Sequence, residues 1–290
     1  MRILLFGASG FIGRTVRTNL EIDHEVIPVV RPHSGGQELE VDLLNLEAIE
    51  QLLDHTQPEV VINAAGIVDP KADPMLNIEF TKNILSAAAN THVNRIIIFG
   101  SAGEYGRIEA NELPVDEETP LRADSGYGLS KKLEEQLALE YRERGFPVIV
   151  TRIFNPIGVG MAEKFFVSQI KKQIEEYLRG ERTTLELSRK DSTRDYIAVD
   201  DIALAIRALI EGSPVHGVYN IGSGVAMSNG ELLQLMVSSS KIEHSPEIVE
   251  TSTEPEPLVA SQADITRIQQ EFHWEPKHSI AAIVEEIMND

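Results

Sequence analysis

The chain has 290 residues, 42% of them hydrophobic and 25% charged, with a formal net charge of −20 and no cysteine. This composition excludes disorder and fibres and supplies a large core, in one domain or two interleaved ones; missing cysteines also remove disulfides, thiol catalysis and thiolate metal sites. The acidic balance argues against nonspecific binding to nucleic acid or anionic membranes.

The opening Met-Arg-Ile-Leu-Leu-Phe-Gly reads as a strand entering a glycine turn and not as a signal peptide, and no apolar run is long enough to span a membrane. The expected compartment is the cytoplasm. In chain order, short β-rich apolar runs predict strands at 3–6, 25–30, 60–63, 95–99 and 148–152, with helices at 12–20, 46–53, 75–90 and 128–144 between them. Strands separated by helices make an α/β fold, a doubly wound parallel sheet of Rossmann type covered on both faces. After residue 155 the pattern loosens into a helix at 165–178, a charged turn at 189–194, a helix at 200–210, a strand at 218–221 and a proline-punctuated remainder. No repeat or flexible linker is present, so a smaller C-terminal domain is interleaved with the first. The expected division is 1–154 plus about 195–222 for a dinucleotide-binding unit and 155–194 plus about 223–290 for a substrate-binding unit.

The first strand ends in Gly-Ala-Ser-Gly-Phe-Ile-Gly at 7–13 and runs into a helix. Glycines 7, 10 and 13 permit a tight turn and close backbone approach, and the helix N-terminus offers free N–H groups to a pyrophosphate. Gly7, Ser9, Gly10, Phe11, Ile12 and Gly13 are therefore candidate dinucleotide contacts. After the second strand, where an acidic residue would bind a ribose 2′-hydroxyl, the chain has Arg31. A guanidinium suits a 2′-phosphate, which favours NADP, with NAD as the alternative.

Tyr127 immediately precedes the helix at 128–144 and Lys131 lies four positions on within it, so the two share a face. An ammonium beside a phenol favours phenolate and lowers a pKa that starts near about 10 toward the working pH. Ser101 follows an apolar strand in Gly-Ser-Ala-Gly-Glu-Tyr-Gly at 100–106. That is the C-terminal edge of the sheet, where open α/β folds place ligands, and its hydroxyl can hydrogen-bond a carbonyl oxygen.

Together these features resemble the extended short-chain dehydrogenase/reductase family over nearly the whole chain. The markers of its nucleotide-sugar branch are Arg-Ile-Phe-Asn-Pro-Ile-Gly at 152–158, Arg-Asp-Tyr-Ile-Ala-Val-Asp-Asp-Ile-Ala at 194–203 and Val-Tyr-Asn-Ile-Gly-Ser-Gly at 218–224. The resemblance implies Ser101, Tyr127 and Lys131 as the catalytic set. It implies Asp42 and Leu43 at the adenine, and Ala64, Ala65, Gly66, Phe154 and Ile157 along the cofactor, with Asn77 in the following helix. It places Glu104, Asn155, Phe166 and Arg194 with Ser101 and Tyr127 at a nucleotide-sugar substrate. The family's dehydratases carry an acidic pair directly after the position of Ser101, where this chain has Ala102 and Gly103. The segment 113–161 looks most like the branch that reduces GDP-4-keto-6-deoxy-mannose. A 4-epimerase using the same three residues with tightly held NAD, and a non-catalytic NADP-binding regulator, are the alternatives.

One departure concerns the substrate phosphates. The family has an Arg-Pro step before its terminal Asp and Trp, and counting back from Trp274 through Asp264 places Glu254 and Pro255 there. Lys164, Lys171, Lys172 or Arg189 are candidate replacements; without one, a substrate with less phosphate is implied. The helices at 75–90 and 128–144 correspond to those through which family members dimerise, so a homodimer is expected, although Leu133, Leu137 and Tyr141 also suit plain core. No metal site is read from the sequence.

Overall fold

The computed structural model describes residues 1–32, 38–68, 73–244, 246–251 and 260–290. Its first half alternates β1 (Arg2–Phe6), α1 (Phe11–Leu20), β2 (Glu25–Val30), β3 (Leu39–Glu40), α2 (Leu46–Thr56), β4 (Val60–Asn63), α3 (Leu76–Ala88), β5 (Arg95–Ser101), α4 (Gly126–Glu143) and β6 (Val148–Ile153). The second half contains β7 (Asn155–Ile157), α5 (Phe166–Leu178), β8 (Thr184–Leu187), β9 (Thr193–Ala198), α6 (Val199–Glu211), β10 (Val218–Ile221), β11 (Ala226–Ser228), α7 (Asn229–Ser238), β12 (Glu247–Glu250), α8 (Thr266–Phe272) and α9 (Ile280–Asn289).

Seven parallel strands form the central sheet in the order β10-β6-β5-β4-β1-β2-β3. Successive strand residues enter opposite layers. Ile3, Leu5, Val60, Ile62, Ile97 and Phe99 pack with α1 and α6 on one face, and Leu4, Phe6, Val61, Ile96, Ile98 and Val150 pack with α2, α3 and α4 on the other. Both faces are therefore buried, which is why these strands read as continuous apolar runs. Each fully buried Ile, Leu or Phe contributes roughly 1.5–3 kcal/mol of transfer free energy.

Two boundaries bear on the site. β5 runs to Ser101 and β6 to Ile153, past the predicted ends, because Gly100 and Ser101 pair with Arg152 and Ile153. Helix α4 starts at Gly126, earlier than predicted, because the Ser125 hydroxyl caps it by accepting from Gly128 N–H at 3.0 Å. Tyr127 thereby falls within the first turn of the helix.

A three-stranded sheet (β11-β9-β7) and a two-stranded one (β12-β8) lie outside the main sheet. A third core joins Ile157, Ile170, Ile174, Leu185 and Tyr196 to residues of α7 and α9. The division expected from the sequence needs one correction: Ala263, Ile265, Ile268 and Trp274, assigned to the second unit, pack into the first core with Tyr219 and Ile221. Helix α8 covers the open end of the sheet beside β10. Among the described residues no helix is long and apolar enough to cross a membrane.

Candidate active site

At the exit of β1 the chain turns on Gly7, whose φ is +78°, in the left-handed region that favours glycine. A Cβ at Gly7 would stand 2.6 Å from the Ala64–Ala65 backbone, and one at Gly13 only 2.1 Å from the Gly7 carbonyl oxygen. The turn is also tied to β2, since Gly7 and Ala8 N–H groups donate to Val29 O at 3.0 and 3.3 Å. Helix α1 has neither a side-chain cap nor an acidic residue in its first turn. Its leading N–H groups are available to an anion. Backbone shape and donors thus fit a dinucleotide pyrophosphate.

Gly10, Phe11, Ile12 and Gly13 line a cleft of about 800 Å³, together with Ala64, Gly66, Phe154 and Ile157. Ala65 does not line it; its side chain packs against the second core. Arg31 is exposed just after β2, and Asp42 is exposed with Oδ1 accepting from Leu44 N–H at 3.0 Å. Ser9 is exposed beside the turn, and Leu43 packs on the second core. None of these four lines the cleft. Asn77 is fully buried and holds the loop after β4 by bonding both Ile67 N–H and Ile67 O, at 2.7 and 3.1 Å.

Ser101, Tyr127 and Lys131 come together from β5 and α4. Ser101 and Tyr127 line the cleft with Gly103 between them; a Cβ on Gly103 would be 3.3 Å from Ser101 Oγ and 3.9 Å from Tyr127 Cδ1. Gly128 lets the first turn of α4 settle on the 3-10 turn Ala102–Glu104, because any Cβ there would meet Gly103 O at 2.4 Å. Lys131 is buried below, its Nζ donating to Phe99 O at 2.9 Å. A Cβ on Gly66 would be 3.6 Å from that Nζ, so the ammonium lies against the cofactor-side turn.

The helical spacing places Lys131 beneath the phenol. In the structure its ammonium is also paired with Glu134, at 3.2 Å, a residue not singled out from the sequence. Burial opposes the ammonium's charge, but Glu134 and then Tyr127 outweigh it and hold Lys131 above its ordinary value. The Glu134 carboxylate also accepts from the Thr81 hydroxyl at 2.6 Å, and Thr81 accepts from Asn63 Nδ2 at 3.1 Å. The i,i+3 spacing of Lys131 and Glu134 was the available signal.

Glu104 requires a second correction. It was expected at the substrate, yet it is fully buried, accepts from Ser101 N–H at 2.6 Å and does not reach the cleft. The 3-10 turn points its side chain back under Ser101.

The opposite wall of the cleft carries Asn155, Phe166 and Arg194, together with Met161, Lys164 and Tyr196. Asn155 Nδ2 donates to Asp195 O at 2.9 Å and to Ser261 Oγ at 3.4 Å. Asp195, missed from the sequence, is fully buried and gathers the N–H groups of Ser223, Gly224 and Ala263 at 2.7–3.0 Å, tying the exit of β10 to β9. Of the candidate replacement cations, Lys164 lines the cleft, whereas Lys171 lies 3.9 Å from Glu175 and 3.8 Å from Asp290. Glu254 and Pro255 lie outside the described residues. Among the described residues no group of three or more His, Cys, Asp or Glu side chains is placed to hold a metal ion.

Residues 3–222 match the model of the NAD dependent epimerase/dehydratase family. The chain belongs to that family. It is accordingly an NAD(P)-dependent oxidoreductase of the extended short-chain dehydrogenase/reductase type. Over its whole length it is 28% identical to a GDP-6-deoxy-D-mannose reductase of Pseudomonas aeruginosa, covering 96% of that protein. It is 26% identical to UDP-glucose 4-epimerase 1 of Oryza sativa, with 99% of this chain and 93% of the relative aligned. Among solved structures it resembles that of RMD from Pseudomonas aeruginosa complexed with NADPH, with a TM-score of 0.86, 26% identity and coverage of 99% and 97% of the two chains.

Proposed function

We propose that this protein reduces the 4-keto group of a 4-keto-6-deoxy nucleotide sugar, of the GDP-4-keto-6-deoxy-mannose kind, using NADP with NAD as the alternative. The observation that carries the proposal is the meeting of Ser101 and Tyr127 on one cleft with the glycine turn, with Ala102 and Gly103 where dehydration would need an acid and a base. The similarity to a GDP-6-deoxy-D-mannose reductase over the full chain supports the same reading.

In this proposal the bound dinucleotide supplies a hydride to the ketone carbon. Tyr127 donates a proton to the developing alkoxide, and the Ser101 hydroxyl donates a hydrogen bond to the same oxygen. Lys131 uses two of its three donors on Phe99 O and Glu134, which leaves one for the nicotinamide ribose beside Gly66. The N-terminal turn of α1 holds the pyrophosphate, Arg31 the 2′-phosphate, and Asp42 and Leu43 the adenine. On the facing wall Arg194 and Lys164 meet the substrate diphosphate, while Asn155 and Phe166 orient the sugar. The protein acts in the cytoplasm as a homodimer through α3 and α4; Leu137 and Tyr141 pack against the core, while Leu133 is half-buried and Leu129, 45% exposed, is an apolar contact on α4.

Mixing the purified protein with NADPH and enzymatically generated GDP-4-keto-6-deoxy-mannose tests the reading: one NADPH should be consumed per sugar reduced. A protein that purifies with bound NAD and interconverts UDP-glucose and UDP-galactose without added cofactor is instead an epimerase. NADPH binding with no oxidation by any 4-keto sugar identifies a regulator.

A further inference from the structure

Behind the reaction centre lies a cluster of buried charges that the proposed chemistry does not use. Three ion pairs compose most of it: Lys131 with Glu134 at 3.2 Å, Arg152 with both oxygens of Glu135 at 2.6 and 2.8 Å, and Arg267 with Glu117 at 3.4 Å. Each cation has its carboxylate. Glu104 is the carboxyl left over, fully buried at the end of the 3-10 turn, with Lys131 and Glu135 near it from α4 and Arg152 from β6.

The hydrogen bonds of Glu104 settle its form. Its Oε1 accepts from Ser101 N–H, while the buried Oε2 meets no N–H or O–H donor among the described residues. An ionised Glu104 would leave charge on an oxygen buried without a donor, near the Glu135 carboxyl. The nearby guanidinium of Arg152 is engaged by both oxygens of Glu135 and does not bond Glu104. Glu104 is therefore the protonated carboxyl. Burial first, and then the charge of Glu135, push the Glu104 carboxyl well above the ordinary carboxylate range. The pocket is shaped for this group: a Cβ on Gly100 would stand 2.6 Å from Glu104 Oε1.

We infer that Glu104 is a positioning residue kept as a neutral carboxylic acid, which anchors Ser101 from behind and keeps a negative charge away from the floor of the reaction centre. Ser101 is then fixed at two points, its N–H by Glu104 and its Oγ by Gly103 N–H at 3.1 Å. An ionised Glu104 would oppose the alkoxide that forms in front of Ser101 and would compete for the charge of Lys131. The anchoring role rests on the reading of Ser101 as an oxyanion donor; the protonation of Glu104 does not.

Infrared spectra of the full-length protein near neutral pH should contain the C=O stretch of a buried protonated carboxylic acid, lost in E104Q; an unchanged spectrum overturns the proton assignment. The linkage has a definite sign. A carboxyl whose pKa is raised on folding stabilises the fold at acid pH and loses that contribution as pH rises toward its folded value. The Tm of the native protein should therefore fall relative to E104Q as pH rises above the ordinary carboxylate range, and a constant difference overturns the inference. For the anchoring role, E104L should lower kcat by about tenfold or more with little change in NADPH affinity, and E104Q should recover most of that loss. If E104Q is as slow as E104L, the neutral-acid role is wrong. If the native protein reduces no keto sugar, the proposed function fails, while the infrared and melting comparisons still decide the state of Glu104.

Discussion

The two walls of the cleft are built by different means. On the glycine-turn wall the critical approaches are backbone to backbone: Gly7 against the Ala64–Ala65 peptide, Gly13 against Gly7 O, and Gly128 against Gly103 O. On the Arg194 wall the lining is made of side chains from β7, α5, β9 and the loop before α5, of which Asn155 is held by two hydrogen bonds while Lys164 is exposed and sits 5.5 Å over the Phe165 ring. Backbone contacts tolerate one residue type, so the first wall is rigid and its sequence signal sharp. Side-chain contacts tolerate many, so the second wall can change its ligand without changing the fold.

Four substitutions sharpen or break that contrast. The largest effect should come from Arg152→Met, which leaves the Glu135 carboxylate buried without its guanidinium and should cost about 3–5 kcal/mol in denaturant unfolding. A loss within the range of a surface change would mean that the charges behind the first wall are not part of its rigidity. Next, Tyr127→Phe should lower kcat by on the order of a hundredfold while NADPH affinity, read by fluorescence titration, stays near normal. Near-normal turnover would remove Tyr127 as the acid. On the second wall, Arg194→Ala should raise KM for the nucleotide sugar by about tenfold with a smaller change in kcat, the signature of lost uniform binding. A fall confined to kcat would show that this wall acts on the transition state. The smallest shift is expected from Arg31→Asp, which should move the ratio of NADP to NAD efficiency toward NAD by about tenfold or less. If the ratio does not move, Arg31 does not contact the ribose.

Strands with both faces buried, an uncapped glycine turn before a helix, and Tyr127 and Lys131 one turn apart are all local patterns, legible because their spacing follows from strand and helix periodicity. The substrate wall was only partly legible. Asn155, Phe166 and Arg194, which line the cleft, were singled out only through family resemblance, whereas Tyr196 and Met161 look like ordinary apolar positions until the fold brings them to the same cleft. The side chains of Ala65 and Glu104 stay out of the cleft for a common reason: proximity in sequence to a site residue does not say on which side of the backbone a side chain emerges.

By itself the sequence determined the doubly wound fold, the glycine turn and the pairing of Tyr127 with Lys131 on one helix face, because those depend on residues a few positions apart. Tertiary structure alone decided which charges are shared. Glu134 takes part of Lys131's charge, Arg152 claims Glu135 across 17 residues, and Glu104 is left to carry a proton under Ser101. Ion pairing and protonation depend on what packs against a group and on how much water that packing excludes, and those neighbours arrive from distant parts of the chain.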